Sequence, residues 1–503
     1  MDYTKLNKVL KALDAAQEAE SDQRDAAREA QLFITKRDGQ WEPTVISAYD
    51  NRPRYTFDLT TPIIDQIAGE IEQSDFNLDI RPAGGESTKE TAAILDGLIR
   101  NISNISDFDT TLSLSGREAV TGGLSAWCIK QKYIEDDSFF QDLVIEPIAS
   151  VVDSVWLGPL TRPDSSDAKW ASVLEASPKE DYEKKWPDGS GTSVDQNRLS
   201  DSYYNKIDSI IVGQLYYIQE RPETIVLMSD GGVYSEEEIK PVMDELALNG
   251  ITQVDTRVIE KKYVKTRLFD GKDWLNEAED TVFDEIPIIP VLANFQTVEN
   301  KVCYMGAVEK LLDPQRVFNY AKSREIEEGA LAPRPKYTVT GKQVQGYESE
   351  WAALNTSADP FIRYNPDPEA PGAPQQGGGA AINPGLMGVS QSMQDIIRDT
   401  AGFHAANLGD NPGLQSGIAI QKLQAKGDIG SVKYFNAMER AVARTGRILV
   451  KAIPKVYDTQ RQVRILKEDG TLIGIDFERS RFKPVGWDVI AAAWVLIKRY
   501  PGQ

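Results

Sequence analysis

The residues best equipped for chemistry in this chain are few and far apart. His404 is the single histidine among 503 residues, so a Ser-His-Asp or Cys-His relay would have to run through it. It falls among small residues in a predicted helix, with no nucleophile motif beside it, and reads as an incidental helix residue. Cys128 and Cys303 are the only cysteines. One histidine and two distant cysteines cannot supply a structural zinc site. Both cysteines sit in apolar, strand-like contexts (Ala-Trp-Cys-Ile and Lys-Val-Cys-Tyr) and are expected to be buried small hydrophobes, not disulfide partners. Gly271-Lys272 and Gly341-Lys342 lack the spacing of a phosphate-binding loop, and neither is followed by Ser or Thr. Gly377-Gly-Gly379 follows no strand and opens no helix. ATP hydrolysis is not expected, nor is any cofactor.

Carboxylates are plentiful, with 77 Asp and Glu against 56 Lys and Arg. Glu135-Asp-Asp137, Glu236-Glu-Glu238 and the run from Glu325 to Glu328 leave open a carboxylate-metal-dependent hydrolase acting on DNA. None stands at a diagnostic spacing, and solvated helix faces and loops are the plainer reading. No catalytic residue and no metal ligand emerges. Lys422, Lys426, Lys433, Arg440, Arg444, Arg447 and Lys451 recur at steps of seven and four along one predicted helix. A solvated face or intersubunit ion pairs would account for them; so would weak, salt-sensitive contact with a passing duplex.

The elements that would carry these residues have a telling order. Asp313-Pro314-Gln315 is a helix start, with a capping Asp and a Pro suited to the first turn, and the helix runs until Pro333 and Pro335 approach. A second helix is predicted from Val389 to about Asn407, with Val389, Met393, Ile396, Ile397, Thr400 and Phe403 at helical spacing. Leu408 to Gly417 breaks the chain, and a third helix continues to about Ile453. Between the first two lies a Pro- and Gly-rich excursion, 333–387, in which Pro335–Thr340 and Phe361–Tyr364 read as strands and the rest resists a core of its own. Two helices bracketing an excursion, then a loop and a long helix, make a mechanical part more readily than a catalytic pocket.

Upstream the chain reads as a mixed α+β body. Leu6, Val9, Leu10 and Leu13 mark an amphipathic helix over residues 1–38, expected to lie on the protein's own body. Helices are predicted at 56–76, 88–102, 108–120, 180–186 and 235–249, and strands at 77–82, 124–133, 144–148, 209–218, 224–228 and 258–265. The N-terminus has no apolar core of a signal peptide, and the late apolar run Val489 to Ile497 is far short of a membrane span of about 20 residues. A net charge of −21 argues against a general phosphate-binding surface. It suits either a protein kept soluble by its charge or an acidic surface past which nucleic acid must move without sticking.

Several stretches, taken in order, resemble the portal proteins of short-tailed, podovirus-type phages. They are Thr61-Pro-Ile-Ile-Asp-Gln-Ile-Ala-Gly-Glu70 leading to Asp79-Ile-Arg-Pro82; Ala119-Val-Thr-Gly-Gly123; Ser166-Asp-Ala-Lys-Trp170 ahead of Glu180-Asp-Tyr-Glu-Lys-Lys-Trp-Pro187; Ile286-Pro-Ile-Ile-Pro290 with Gly306; Asp313-Pro-Gln-Arg316, Asn319-Tyr320 and Ser323; and Asn411-Pro-Gly with Ser416-Gly417-Ile-Ala-Ile. The likeness spans roughly residues 40–475. It implies a twelve-membered ring at one capsid vertex, with 1–305 an N-terminal wing, 306–332 a first stem helix and 333–387 a clip. Residues 388–408 would be a second stem helix, 409–417 a tunnel loop, 418–458 a long wing helix and 459–503 a remnant of the C-terminal wing. Relatives usually continue into a crown or barrel; here Asp476 to Gln503 departs from the pattern, as a truncated or frameshifted form would.

What the resemblance implies for residues follows the same map. The tunnel loop and adjoining helix would place Asp410, Asn411, Pro412, Gln415, Ser416, Lys422 and Lys426 beside double-stranded DNA. The clip would offer Lys342, Tyr347, Glu350, Trp351, Arg363 and Tyr364 to the terminase large subunit during packaging and to head-completion, adaptor and tail proteins afterwards. Capsid and scaffold proteins would meet the ring, and no membrane is involved. Twelve copies, each at −21, would carry about −250, and acidic residues facing the bore would repel DNA phosphates. The rival readings are another virion connector protein and the hydrolase above.

Overall fold

The computed structural model describes residues 3–36, 38–48, 52–82, 89–135, 137–194, 208–229, 232–248, 250–299, 301–331, 337–353, 360–376, 384–402, 417–457, 461–466, 471–477 and 487–494. The chain divides into two compact units. The first comprises Met1–Thr35, Thr60–Lys310 and Ala401–Gln503; the second comprises Lys36–Leu59 and Leu311–Thr400. The α+β class holds, with helices and antiparallel sheets interleaved along the chain.

In the first unit one antiparallel sheet runs in the order Val155–Leu157, Trp170–Pro178, Ser209–Met228, Gln253–Phe269, Glu279–Asp280, with Val233–Ser235 paired to Ser209–Met228. Sequence reading split Ser209–Met228 into two strands at Arg221-Pro222; the structure has one strand of 20 residues. The proline is tolerated because Trp170–Pro178 pairs only with Ser209–Tyr217 and Val233–Ser235 only with Ile225–Leu227. At Pro222, opposite Glu260, one edge is open, and a missing N–H costs no ladder bond there. Helix Leu6–Thr35 lies on this sheet as expected: Leu6, Val9 and Leu13 are buried with Trp156, Trp170, Leu174, Leu215, Tyr217 and Phe269. Farther along the helix, buried Arg24 stacks over Trp156 and donates to the carbonyls of Val151, Val152 and Val155 at 2.8–3.0 Å.

A second sheet orders Ile288–Leu292, Leu124–Tyr133 and Gln141–Pro147. Helix Phe108–Gly122 ends at Gly123, in the left-handed conformation at φ 84°. Here the chain passes very close to Met305-Gly306: a Cβ on Gly123 would come within 2.7–2.8 Å of that backbone, and one on Gly306 within 2.0 Å of the Thr121 carbonyl oxygen. Hydrogen bonds from Ala307 N to Val120 O (2.7 Å) and Ala293 N to Gly123 O (3.0 Å) lock the crossing. Two quoted stretches far apart in sequence, Ala119–Gly123 and Gly306, thus form one joint in which only glycine fits. Helix Thr61–Glu72 starts later than the predicted residue 56, with Pro62 in its first turn and Ile64, Ile67, Ala68 and Ile71 buried.

The long helix Gly417–Val456 is tied to the body by its basic residues. Arg444 is fully buried; it bonds Ser165 Oγ and donates to the Ile286 carbonyl at 3.1 Å. Burial pushes its guanidinium down to about 10, against the pull of Glu285 and Asp164. Arg447 pairs with Asp164 at 2.9 Å and Lys451 with Glu285 at 2.8 Å, and Lys455 pairs with Asp284. Arg444 is thus an internal anchor and not the solvated cation the stripe suggested, while Arg447 and Lys451, still partly exposed, pair with acids of their own chain. Lys433 is half-buried against the Tyr434 ring, and burial lowers its affinity for a proton. Cys128 is buried, its thiol pushed up to about 11 by burial, while Cys303 is half-buried; both are free thiols.

The strand predicted at 77–82 forms as Asp75–Pro82 and pairs antiparallel with Trp487–Trp494, from the stretch that departs from the resemblance. Arg461–Leu466 and Leu472–Phe477 pair antiparallel as a hairpin. Its Ile465 packs onto Gly97 of helix Lys89–Ile105, where a Cβ would meet the isoleucine at 2.9 Å.

Candidate functional site

The second unit is built around helix Leu312–Leu331, which carries an unusual buried face. Gln315, Asn319 and Ser323, spaced by four, are 0–1% exposed. Each binds the chain segment 55–59 at every second residue. Leu59 N donates to Gln315 Oε1 (3.0 Å), Phe57 N to Asn319 Oδ1 (2.9 Å) and Tyr55 N to Ser323 Oγ (3.0 Å). In return Gln315 Nε2 donates to the Phe57 carbonyl (2.7 Å), and Ser323 Oγ to that of Tyr55 (3.2 Å). Asn319 Nδ2 closes the set on Gln40 Oε1 at 2.8 Å. Four helical residues rise about 6 Å and two extended residues about 6.6 Å, so the two spacings stay in step over three pairs. Side chains of the helix thereby replace a neighbouring strand. The Gln315, Asn319 and Ser323 positions of the resemblance are this ladder.

Away from these contacts the helix exposes apolar side chains, Val317 (42%) and Tyr320 (45%) off the seam and Ile326 (39%) beyond its end. Helix Pro384–Ala401 does the same with Met387, Val389 and Ile396. Of its predicted apolar positions within the described residues, Ile397 alone is buried, Met393 is half-buried, and Val389, Ile396 and Thr400 are exposed. Phe403, and the predicted helix end near Asn407, lie outside the described residues.

The excursion between these helices holds more structure than its composition suggested. Tyr337–Thr338 pairs with Gln375–Gln376. Thr340 then caps helix Gly341–Val344 with a full capping box: its hydroxyl accepts from Gln343 N, and Gln343 Oε1 accepts from Thr340 N at 3.1 Å. The same Thr340 hydroxyl donates to Asp367 Oδ2 at 2.6 Å, which with the Glu369 amide holds that carboxyl below its ordinary range. Buried Gln343 donates to the carbonyls of Ala370 and Gly372. Phe361–Tyr364 is not a strand. A side chain takes one of its backbone groups, Trp351 Nε1 donating to the Arg363 carbonyl at 2.8 Å, and just beyond it Asn365 Nδ2 donates to the Gln345 carbonyl at 2.7 Å.

Four of the six residues expected in the clip meet here. Glu350 forms an ion pair with Arg363, whose guanidinium lies 5.0 Å from the centre of the Tyr347 ring, and Trp351 meets Tyr337 edge-on at 5.5 Å. Lys342 is apart from them, paired with Glu369 at 3.0 Å. Tyr364 is 41% exposed beside Phe361, 73% exposed. Sequence reasoning missed Phe361 as a surface group because it was assigned to a strand. The result is a polar-zipped lobe presenting an aromatic and guanidinium face, the residue types enriched where proteins dock.

Asp410, Asn411, Pro412, Gln415 and Ser416 lie outside the described residues, as does His404. Lys422 and Lys426 lie on the backbone of helix Gly417–Val456, with side chains outside the described set. Among the described residues no group of His, Cys, Asp and Glu could hold a metal ion, and no helix is long and apolar enough to cross a membrane. The carboxylates of 325–328 are engaged along their own helix, Glu325 with Lys322 and Glu327 and Glu328 with Arg324.

A family described as phage P22-like portal protein matches residues 10–481. A portal protein of Acyrthosiphon pisum secondary endosymbiont phage 1 is 23% identical over 492 residues, an alignment covering 92% of this chain and 67% of that relative.

Proposed function

This chain belongs to the phage P22-like portal protein family, and from that premise we propose how its parts serve a head-tail connector. The protein is a structural component of the virion capsid, and its homo-oligomer meets DNA. Our reading goes further: twelve copies stand around an axis at one vertex, and double-stranded DNA passes through during packaging and ejection. The wing is 1–305, the stem helices 306–332 and 388–408, the clip 333–387, the tunnel loop 409–417 and the long wing helix 418–458. The first unit's own boundaries modify this in one respect, since Lys36–Leu59 groups with the stem and clip.

The observation that carries the reading is the two-faced character of the helices on either side of the clip. One face of Leu312–Leu331 is sealed by the ladder to 55–59, while Val317, Tyr320 and Ile326 stand in solvent, as do Met387, Val389 and Ile396 on the second helix. Apolar side chains exposed on two helices are wasted in a monomer and are covered when copies stand side by side. The clip face of Tyr347, Glu350, Trp351, Arg363 and Tyr364 would receive the terminase large subunit and later the head-completion and tail proteins. Asp410, Asn411, Pro412, Gln415, Ser416, Lys422 and Lys426 would line the bore. The net charge of −21 per copy supports passage of phosphates without capture.

Electron microscopy of the purified protein tests this directly. Class averages should show rings with a central hole wide enough for a duplex; compact monomers, or a closed particle, would refute the reading.

A further inference from the structure

The ladder on helix Leu312–Leu331 has more acceptors than donors. Gln315, Asn319 and Ser323 are followed one turn on by Glu327, which is 6% exposed and continues the column at a spacing of four. Its carboxylate pairs with Arg324 at 2.7 Å and lies 3.6 Å from Arg52. On the opposing segment Leu59, Phe57 and Tyr55 present an N–H to the column. The next residue in step is Pro53, which has none. At its other end the column stops at Leu311, whose side chain accepts no hydrogen bond.

Four acceptors facing three donors can be matched in full in two ways. In the register observed, Leu59, Phe57 and Tyr55 meet Gln315, Asn319 and Ser323. One turn on, the same three amides would meet Asn319, Ser323 and Glu327. Any other step sets Leu59 against Leu311 or Tyr55 against Leu331 and loses a rung. Segment 55–59 contributes main-chain groups alone to these rungs, so none of its side chains selects a register. A step is about 6 Å along the helix and about 6.6 Å along the extended chain, which keeps the pairs in phase.

The neighbouring contacts tolerate the step. Trp41 Nε1 donates to Thr56 Oγ1 at 3.0 Å, and Arg54 pairs with Asp38 at 3.3 Å, so 38–41 travels with 54–56. Gln40, now bonded to Asn319, would face Ser323, whose hydroxyl also donates. Gln315 would keep Asn319 as its partner and lose its backbone rung. Two partly exposed ion pairs, Arg316 with Glu42 and Arg52 with Glu327, would open at small cost. In return an amide would meet a carboxylate, a stronger bond than one to a neutral oxygen.

We propose that this seam is a two-position latch: helix Leu312–Leu331 has two resting registers on segment 55–59, one turn apart, with Leu311 and Pro53 as its stops. One-turn steps of this kind pass between discrete packings. The latch lies within the second unit and does not depend on the ring.

Spin labels on Phe57→Cys and Gly329→Cys report the register by double electron–electron resonance. They are placed in the full chain with Cys303→Ser, Cys128 being buried, and the labelled chain is diluted with unlabelled chain. The unaltered seam should give two distances about 6 Å apart, the shorter one held by about a tenth of the molecules or more, as rungs of similar strength imply. Glu327→Leu removes the fourth acceptor and should abolish the shorter distance. Pro53→Ala supplies a fourth donor to the register observed and should abolish it as well, with every present rung in place; if Glu327→Leu does not fold, this variant decides alone. A single distance in the unaltered chain overturns the latch, as does a shorter distance that survives Pro53→Ala.

Discussion

Asn319 stands across from Phe57 with its side-chain oxygen 2.9 Å from the Phe57 amide nitrogen, as a neighbouring strand's carbonyl would. The asparagine is fully buried, and its other side-chain atom is committed to Gln40. Gln315 and Ser323 repeat the arrangement one turn to either side. A helix has no free backbone groups to offer a passing chain, so only side chains at a spacing of four can pair with one. Helix Leu312–Leu331 is thus fixed along one seam while Val317 and Tyr320, off that seam, stay exposed.

Replacing Asn319 with Leu would leave the Phe57 N–H and the Gln40 side chain unpartnered in a buried site. The cost should be about 1–3 kcal/mol of stability, read as a fall in the urea midpoint at unchanged slope. Tyr320→Ala, one residue along on the exposed face, should leave the unfolding of the dissociated chain nearly unchanged and weaken assembly instead. Equal destabilisation by both would contradict the two-faced helix.

Arg444 should be the costliest cation in the long helix. Arg444→Ala abandons Ser165 and the Ile286 carbonyl in the interior, a loss on the order of 3 kcal/mol, whereas Arg447→Ala, partly exposed, should cost less than about 1 kcal/mol. Thermal unfolding of the two variants checks the order. A similar shift for both would show that the buried guanidinium anchors nothing beyond a surface pair.

Asp270 supplies a pH prediction. It is fully buried; burial alone would raise its pKa, but the Tyr182 hydroxyl at 2.6 Å, the amides of Asp273 and Lys272, and Ser190 outweigh that and hold it below the ordinary carboxylate range. A depressed folded pKa gives stability that is present above the unfolded value, near 3.9, and lost as pH falls through the folded one. The unaltered chain should therefore lose stability steeply below about pH 4, and Asp270→Asn should be weaker at pH 7 with a shallower acid limb. Parallel urea titrations at pH 7 and pH 3 decide it; identical slopes would remove Asp270 from the acid response.

Much of the scaffold was legible because periodicity reports burial. Leu6, Val9 and Leu13 announced their helix, and Leu124–Tyr133 was found to the residue. Long-range side-chain-to-backbone pairing has no such signal. Nothing local ties Asn319 to residue 57 or Arg444 to Ile286, although Asn319 and Ile286 lie in stretches that carried the family resemblance. Gly123 and Gly306 likewise stood in separate stretches of the resemblance, with nothing in the sequence to show that their backbones cross. Pro222 misled because an open strand edge is a property of neighbours. The Phe361–Tyr364 error has the same root: aromatic residues suggested a strand, and Trp351 and Asn365 took up the nearby backbone carbonyls instead.

The clip offers a prediction that separates shape from docking. The Thr340 hydroxyl links two partners, accepting from the Gln343 amide and donating to Asp367, so Thr340→Ala should cost about 1 kcal/mol locally and speed hydrogen exchange at Gln343 and its neighbours. Arg363, by contrast, is exposed and its proton is held more tightly through its bond to Glu350. Its removal leaves the capping box untouched and flattens the face formed with Tyr347 and Phe361. Arg363→Ala with Phe361→Ala should leave exchange within 340–346 unchanged and weaken binding of the terminase large subunit about ten-fold or more, as loss of an aromatic and arginine anchor does. Surface plasmon resonance on assembled rings gives the affinity. Undiminished binding by the double variant would move the docking face elsewhere on the clip.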